Sequence, residues 1–99
     1  MKKTQWQFNE PPNMAVIVNK KILFEGDWIA YVSHDSDDGA WQFHTNQSAP
    51  VGESDAMLVS LQSIVNIDPS ILLLADLPLG WHAWRDSKDA DWQKMPITD

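Results

Sequence analysis

Three histidines stand among fourteen aspartates and glutamates in this 99-residue chain, and any chemistry would start from them. His34, His44 and His82 are residue types that serve as general acids, general bases or metal ligands near neutral pH. None has the helical spacing of a His-Glu-x-x-His zinc site. His34-Asp35-Ser36-Asp37-Asp38-Gly39 gathers carboxylates, which suit hard cations. With Gly39 in the glycine position of a calcium-binding loop, however, the first, third and last ligand positions fall on His34, Ser36 and Thr45. The required acidic ligands are then missing, and a solvated turn is the better reading. Ser33-His34-Asp35 holds the residue types of a serine triad. Neighbours on a strand point to opposite faces, so these three cannot line up as nucleophile, base and orienting acid. There is no Gly-x-Ser-x-Gly, no glycine-rich phosphate loop and no cysteine. The chain therefore reads as a non-enzyme needing no cofactor and no metal. The alternative is a small metal-dependent or ligand-binding enzyme using His34, His44 and His82.

Tryptophan is the other unusual feature, six in 99 residues. Large aromatic rings can fill the core of a small sheet, or they can anchor a binding patch, where tryptophan and arginine dominate. The candidates for such a patch are Trp41, Trp81, Trp84 and Arg85, with the carboxylates Asp35, Asp37 and Asp38.

The element that must position most of these residues is a hairpin over residues 28–44. Trp28-Ile29-Ala30-Tyr31-Val32 and Trp41-Gln42-Phe43-His44-Thr45 are aromatic and β-branched, as strands prefer. Alternation places Trp41 and Phe43 on one face and Gln42 and His44 on the other. Asp38-Gly39 between the runs supplies the positive φ that a turn needs. Before it, Met14-Ala15-Val16-Ile17-Val18 predicts a buried strand and Ile22-Leu23-Phe24 a second short one. Residues 1–13, closed by Pro11-Pro12, form an N-terminal arm ahead of a single domain over 14–99. After the hairpin, 46–52 is a loop. Met57, Leu58, Leu61, Ile64 and Val65 then make the stripe of an amphipathic helix capped by Ser54, with Glu53 and Asp55 at its positive end. Asp68-Pro69 ends it. Ile71 to Ala75 is either a helical turn or a buried strand. Gly80 to Arg85 predicts a strand with Trp81, Ala83 and Arg85 on one face and His82 and Trp84 on the other. The polar tail after Asp86 packs back through Trp92. The fold class is therefore α+β: a mostly antiparallel sheet with one main amphipathic helix on one face.

The formal net charge of −7 argues against nucleic acid, whose phosphates would be repelled, and suits a basic protein partner. The N-terminus has no apolar signal segment and no run approaches a membrane span, so the cytoplasm is the expected location.

Three blocks carry a family resemblance. Asp37-Asp38-Gly39-Ala40-Trp41-Gln42-Phe43, Asp68-Pro69-Ser70-Ile71 and Leu77-Pro78-Leu79-Gly80-Trp81 resemble landmarks of a family of small bacterial domains of unknown function, over about Val16 to Arg85. Some of its members are regarded as immunity proteins that bind and neutralise bacterial toxins. The resemblance implies a protein-binding module, an immunity-type protein acting through its acidic hairpin and an aromatic patch. A subunit whose aromatic face is an oligomer interface is a further alternative.

Overall fold

A computed structural model of the protein describes residues 8, 10–37, 39–45 and 56–97. It is a mixed α and β fold dominated by a six-stranded sheet with a few short helices. The strands are β1 (Ala15–Asn19), β2 (Tyr31–His34), β3 (Trp41–His44), β4 (Ala56–Ser60), β5 (Trp81–Trp84) and β6 (Gln93–Pro96). They lie in the order β4-β1-β3-β2-β5-β6. The β1–β3 pairing is parallel; the others are antiparallel.

The hairpin forms and β3 alternates as expected, but its first strand is Tyr31–His34 and not Trp28–Val32, since Trp28 to Ala30 lie ahead of the strand. Tyr31 pairs with His44, Val32 with Phe43, Ser33 with Gln42 and His34 with Trp41. Asp35 N–H bonds Ala40 O (2.8 Å) and Gly39 N–H bonds Asp35 O (2.9 Å), closing the turn, with Gly39 at φ +75°. A side chain at that φ would be strained, which is why glycine stands there. Asp38 lies outside the described residues.

Three sequence expectations need correction. Ile22-Leu23-Phe24 is not a strand but part of α1 (Lys20–Phe24). Asn19 ends β1 and caps this helix, its side chain accepting from Lys21 N–H at 2.9 Å, so the chain turns at once instead of extending. The amphipathic stripe over 57–65 is not one helix. Its first part is β4, which pairs with β1, and only Leu61–Ile67 is helical (α2). Ser60 is the cap, with ψ 148° and its side chain accepting from Ser63 N–H, while the predicted cap Ser54 falls outside the described residues. The stripe arose where an apolar strand abuts an apolar helix: Leu58, placed within it, is 65% exposed. One main helix is therefore replaced by α1, α2 and a 3-10 helix, Pro69–Leu74, which also decides the ambiguous run at Ile71. Finally, β6 lies in the tail that the sequence left without structure, and the predicted loop over 46–52 falls outside the described residues.

The core lies on one face of the sheet. Val16, Val18, Val32, Trp41, Phe43 and Ala83 point into it and meet Leu61, Ile64, Ile71 and Leu74 from the helices. The arm contributes Phe8, edge-on to the Trp41 ring at 5.2 Å. Trp92 packs back against this core, as expected of the tail.

Candidate functional site

The alternation that builds the core also sorts the candidate residues. Trp41 is fully enclosed, stacked on the His34 ring at 4.0 Å. Arg85, 4% exposed, donates from Nε to Ile29 O (2.8 Å), from Nη1 to Ser70 Oγ (3.0 Å) and from Nη2 to Asp68 (2.7 Å). Its guanidinium lies 4.3 Å from the Trp92 ring centre and 5.9 Å from that of Trp28. Neither Trp41 nor Arg85 is placed to touch a partner. They were legible as aromatic and basic anchors, but their strand positions turn them inward. Burial would raise the Asp68 carboxyl; hydrogen bonds from Ser70 and Arg85 outweigh it and hold the group below its usual range.

The histidines divide as well. His34 faces the core, where its Nδ1–H donates to Leu77 O (2.7 Å). Its Nε2 stands 3.3 Å from Glu10 Oε2, near enough for an ion pair but not aligned as a hydrogen bond. His44 and His82 lie on the opposite face, on either side of Tyr31. The three histidines therefore do not converge. Among the described residues no group of three or more His, Cys, Asp or Glu side chains could hold a metal ion.

On that open face a polar chain runs back to the turn. Ionised Asp35 only accepts, so Gln42 points its amide N–H at Asp35 Oδ2 (2.7 Å). The amide oxygen is then left for His44, whose Nε2–H donates to it at 3.0 Å. The other ring nitrogen of His44 is buried without a partner. Burial lowers the His44 pKa, only partly opposed by Asp35, so the ring stays neutral. Tyr31 OH lies 2.8 Å from His82 Nδ1. Burial, and then the Asp35 charge, raise the Tyr31 pKa, so the phenol keeps its proton and donates it to His82. Half-buried Trp84 meets His82 at 5.4 Å between ring centres. These contacts pair Gln42 with Asp35 and His44, and Tyr31 with His82, and engage one of the two Asp35 carboxylate oxygens.

A different arrangement forms at the hairpin tip. The Leu79-Gly80 turn runs beside it. A Cβ on Gly80 would lie 3.6 Å from Ser36 Cβ, and one on Gly39 would lie 3.9 Å from Leu79 Cδ2. Gly80 N–H bonds His34 O (2.7 Å) and Ile97 N–H bonds Gly80 O (2.8 Å), tying β2, β5 and the end of β6 together here. Leu79 is 56% exposed and Ile97 is 42% exposed. In the hairpin turn itself, Asp37 is exposed and Asp35 half-buried. Trp81, half-buried and paired with Pro96, packs under the same end. Sequence reasoning found the carboxylates and Trp81. Leu79 and Ile97 were not among its candidates, and Ile97 is tied to the turn that carries Leu79 only because β6 pairs with β5.

A half-open groove of about 370 Å³ lies elsewhere, among Ile22, Trp28, Ile29, Ile67 and Pro69. Its charged members are Asp27, Lys88 and Asp68, and Asp68 is already held by Arg85. No helix of the described residues is long and apolar enough to cross a membrane. Comparison with protein-family models, curated proteins and solved structures gave no match.

Proposed function

We propose that the chain is a non-enzymatic protein-binding module that docks a basic protein partner on its hairpin tip. One observation carries this reading: the hairpin tip, whose turn carries Asp35 and exposed Asp37, runs beside the turn of exposed Leu79 and Gly80, and Gly80 in turn holds exposed Ile97 by a backbone bond. An apolar centre rimmed by charge of one sign is the anatomy of a specific interface. The apolar side chains supply burial, and the carboxylates steer a basic partner and set its register. The excess of fourteen acidic over seven basic residues favours the same class of partner. Asp38, next to Asp37 in sequence, adds charge at this turn. Trp81 supports the patch from beneath, while Trp84 lies on the open sheet face. The resemblance to immunity-type domains makes a bacterial toxin the first partner to test.

The test is affinity capture from the native cell by three proteins in parallel: the wild type, the Asp37→Lys/Asp38→Lys double variant and Leu79→Glu. A protein held by the wild type and released by both variants supports the tip as the docking site. A protein held equally by all three moves the site elsewhere, and recovery of nothing by the wild type removes the proposal.

A further inference from the structure

The two edges of the sheet are built differently. On β6, Ile97 N–H bonds Gly80 O. By the alternation of an antiparallel ladder, Gln93 and Met95 then bond β5 as well, and Lys94 and Pro96 face outward. Pro96 has no N–H to offer and Lys94 brings a charge, both common means of blunting an edge. On β4, Leu61 N–H bonds Met14 O (2.8 Å), so Val59 and Met57 bond β1 and the backbone groups of Ala56, Leu58 and Ser60 face outward. Ala56-Met57-Leu58-Val59-Ser60 contains no charge, no proline and no glycine. Among the described residues nothing pairs with its outer side. Leu58 is 65% exposed, with half-buried Ile17 opposite it on β1.

We propose that β4 pairs antiparallel with β4 of a second copy of this chain, about a two-fold axis through Leu58, joining the two sheets into one. Charge selects the occupant. The molecule carries net −7, so most self-contacts set carboxylates against carboxylates. Residues 56–67, which form β4 and α2, hold no charged side chain at all. This is the side on which two copies can meet without that repulsion. The register is self-complementary. Leu58 meets its own counterpart and exchanges both backbone bonds, Ser60 N–H reaches Ala56 O of the second copy, and Met57 faces Val59. The carbonyl of Ser60 remains with α2, whose cap it is. The tip patch is at the β2–β3 turn, away from this edge, so a dimer would present two such patches. An edge contact of this kind belongs to the small end of interfaces, below about 1,200 Å², and its dimer is expected to form at about hundreds of micromolar, inside the range tested.

Light scattering on the full chain across about 10 μM to 1 mM reads the assembly by mass action. The mass of the wild type is expected to rise from one chain towards two. Leu58→Lys, at a side chain already exposed, is expected to stay at one chain throughout with an unchanged circular dichroism spectrum. Leu58→Pro removes only an outward N–H, as Pro96 does on the other edge, and gives the same result. Leu58→Cys places the only thiol of the chain on the axis. Its Cα atoms would stand about 5.5 Å apart, within the range a disulfide spans, so oxidation is expected to link the chains rapidly. Leu79→Cys, at the tip, is the control and is expected to link slowly. A wild type that remains one chain at the highest concentration overturns the proposal. So does a Leu58→Lys protein that assembles like the wild type, or a Leu79→Cys protein that links as fast as Leu58→Cys.

Discussion

The hairpin presents two faces that the same eight paired residues build in opposite ways. On one, Val32, His34, Trp41 and Phe43 are buried beneath the helices and the arm. On the other, Tyr31, Gln42 and His44 keep partial exposure, Gln42 bonding Asp35 and His44, and Tyr31 bonding His82, while Ser33 is buried between strands. Aromatic and imidazole rings occur on both. A ring's type therefore says little about its role here; the parity of its position decides it. The sharpest break of this comparison is to remove one tryptophan from each face. Trp41→Ala opens a cavity among residues that exclude water and is expected to cost about 3–5 kcal/mol, a large share of the stability of so small a domain. Trp84→Ala, from the open face, is expected to cost about 1 kcal/mol. Urea unfolding followed by circular dichroism separates the two. Trp41→Phe sharpens the result. The indole N–H of Trp41 is buried without a partner, so phenylalanine loses volume but also relieves an unmet donor, and its cost is expected to fall well below that of alanine.

Next in size is the inward-facing Arg85, which fixes the strand β5 to the α2 end of the helical layer through Asp68 and Ser70. Arg85→Met keeps a long apolar side chain at this position but removes the guanidinium from the Trp92 ring and strands the Asp68 carboxylate. A loss of about 3 kcal/mol is expected at neutral pH. The pH dependence identifies the cause. The folded-state pKa of Asp68 lies below its ordinary value of 3.8, so its contribution is present above that value and is lost as pH falls through the folded pKa. Acid unfolding of the wild type therefore includes this group. In Asp68→Asn that part of the slope below pH about 4 is expected to vanish, as measured by urea midpoints at successive pH values.

How much of this was legible in the chain depends on whether position or partner sets the outcome. The hairpin, β1 and β5 follow from alternation and turn residues, and so does the inward aim of Trp41 with Phe43. Alternation also put Arg85 on the face of Trp81 and Ala83. What it could not supply was Asp68, far along the chain, which makes burying a guanidinium tolerable. β4 and α2 merged into one apparent helix because apolar residues run through both without a break, and only the cap at Ser60 separates them. β6 carries two polar residues, a methionine and a proline. It is a strand because β5 offers it a ladder, and composition gave no hint of it. The tip carboxylates were legible as turn residues. Leu79 and Ile97 were not, since single exposed apolar residues are ordinary and only the pairing of β6 with β5 ties Ile97 to the turn that carries Leu79.

The smallest expected effect lies on the open face and tests whether its polar chain shapes stability. His44 is neutral in the folded protein, its pKa lowered by burial although Asp35 works against this. The titratable groups around it are Asp35, reached through Gln42 and charged, and Tyr31, which stays protonated and neutral. In the unfolded chain the ring takes a proton near its ordinary value of 6.5; in the folded chain it resists to lower pH. Stability from this group is thus complete above about pH 6.5 and declines as pH falls below it towards the folded pKa. His44→Gln, which retains an N–H for Gln42, is expected to flatten the stability profile between about pH 6.5 and 5 while leaving it near the wild type at pH 8. Imidazole proton shifts followed by NMR give the direct reading: the His44 resonance is expected to titrate below pH 6.5 in the wild type and to move upward in Gln42→Ala, where water reaches the ring. If the His44 resonance titrates at or above its ordinary value, the open face is wetter than its buried Nδ1 implies. The contrast between the two faces would then be one of packing alone.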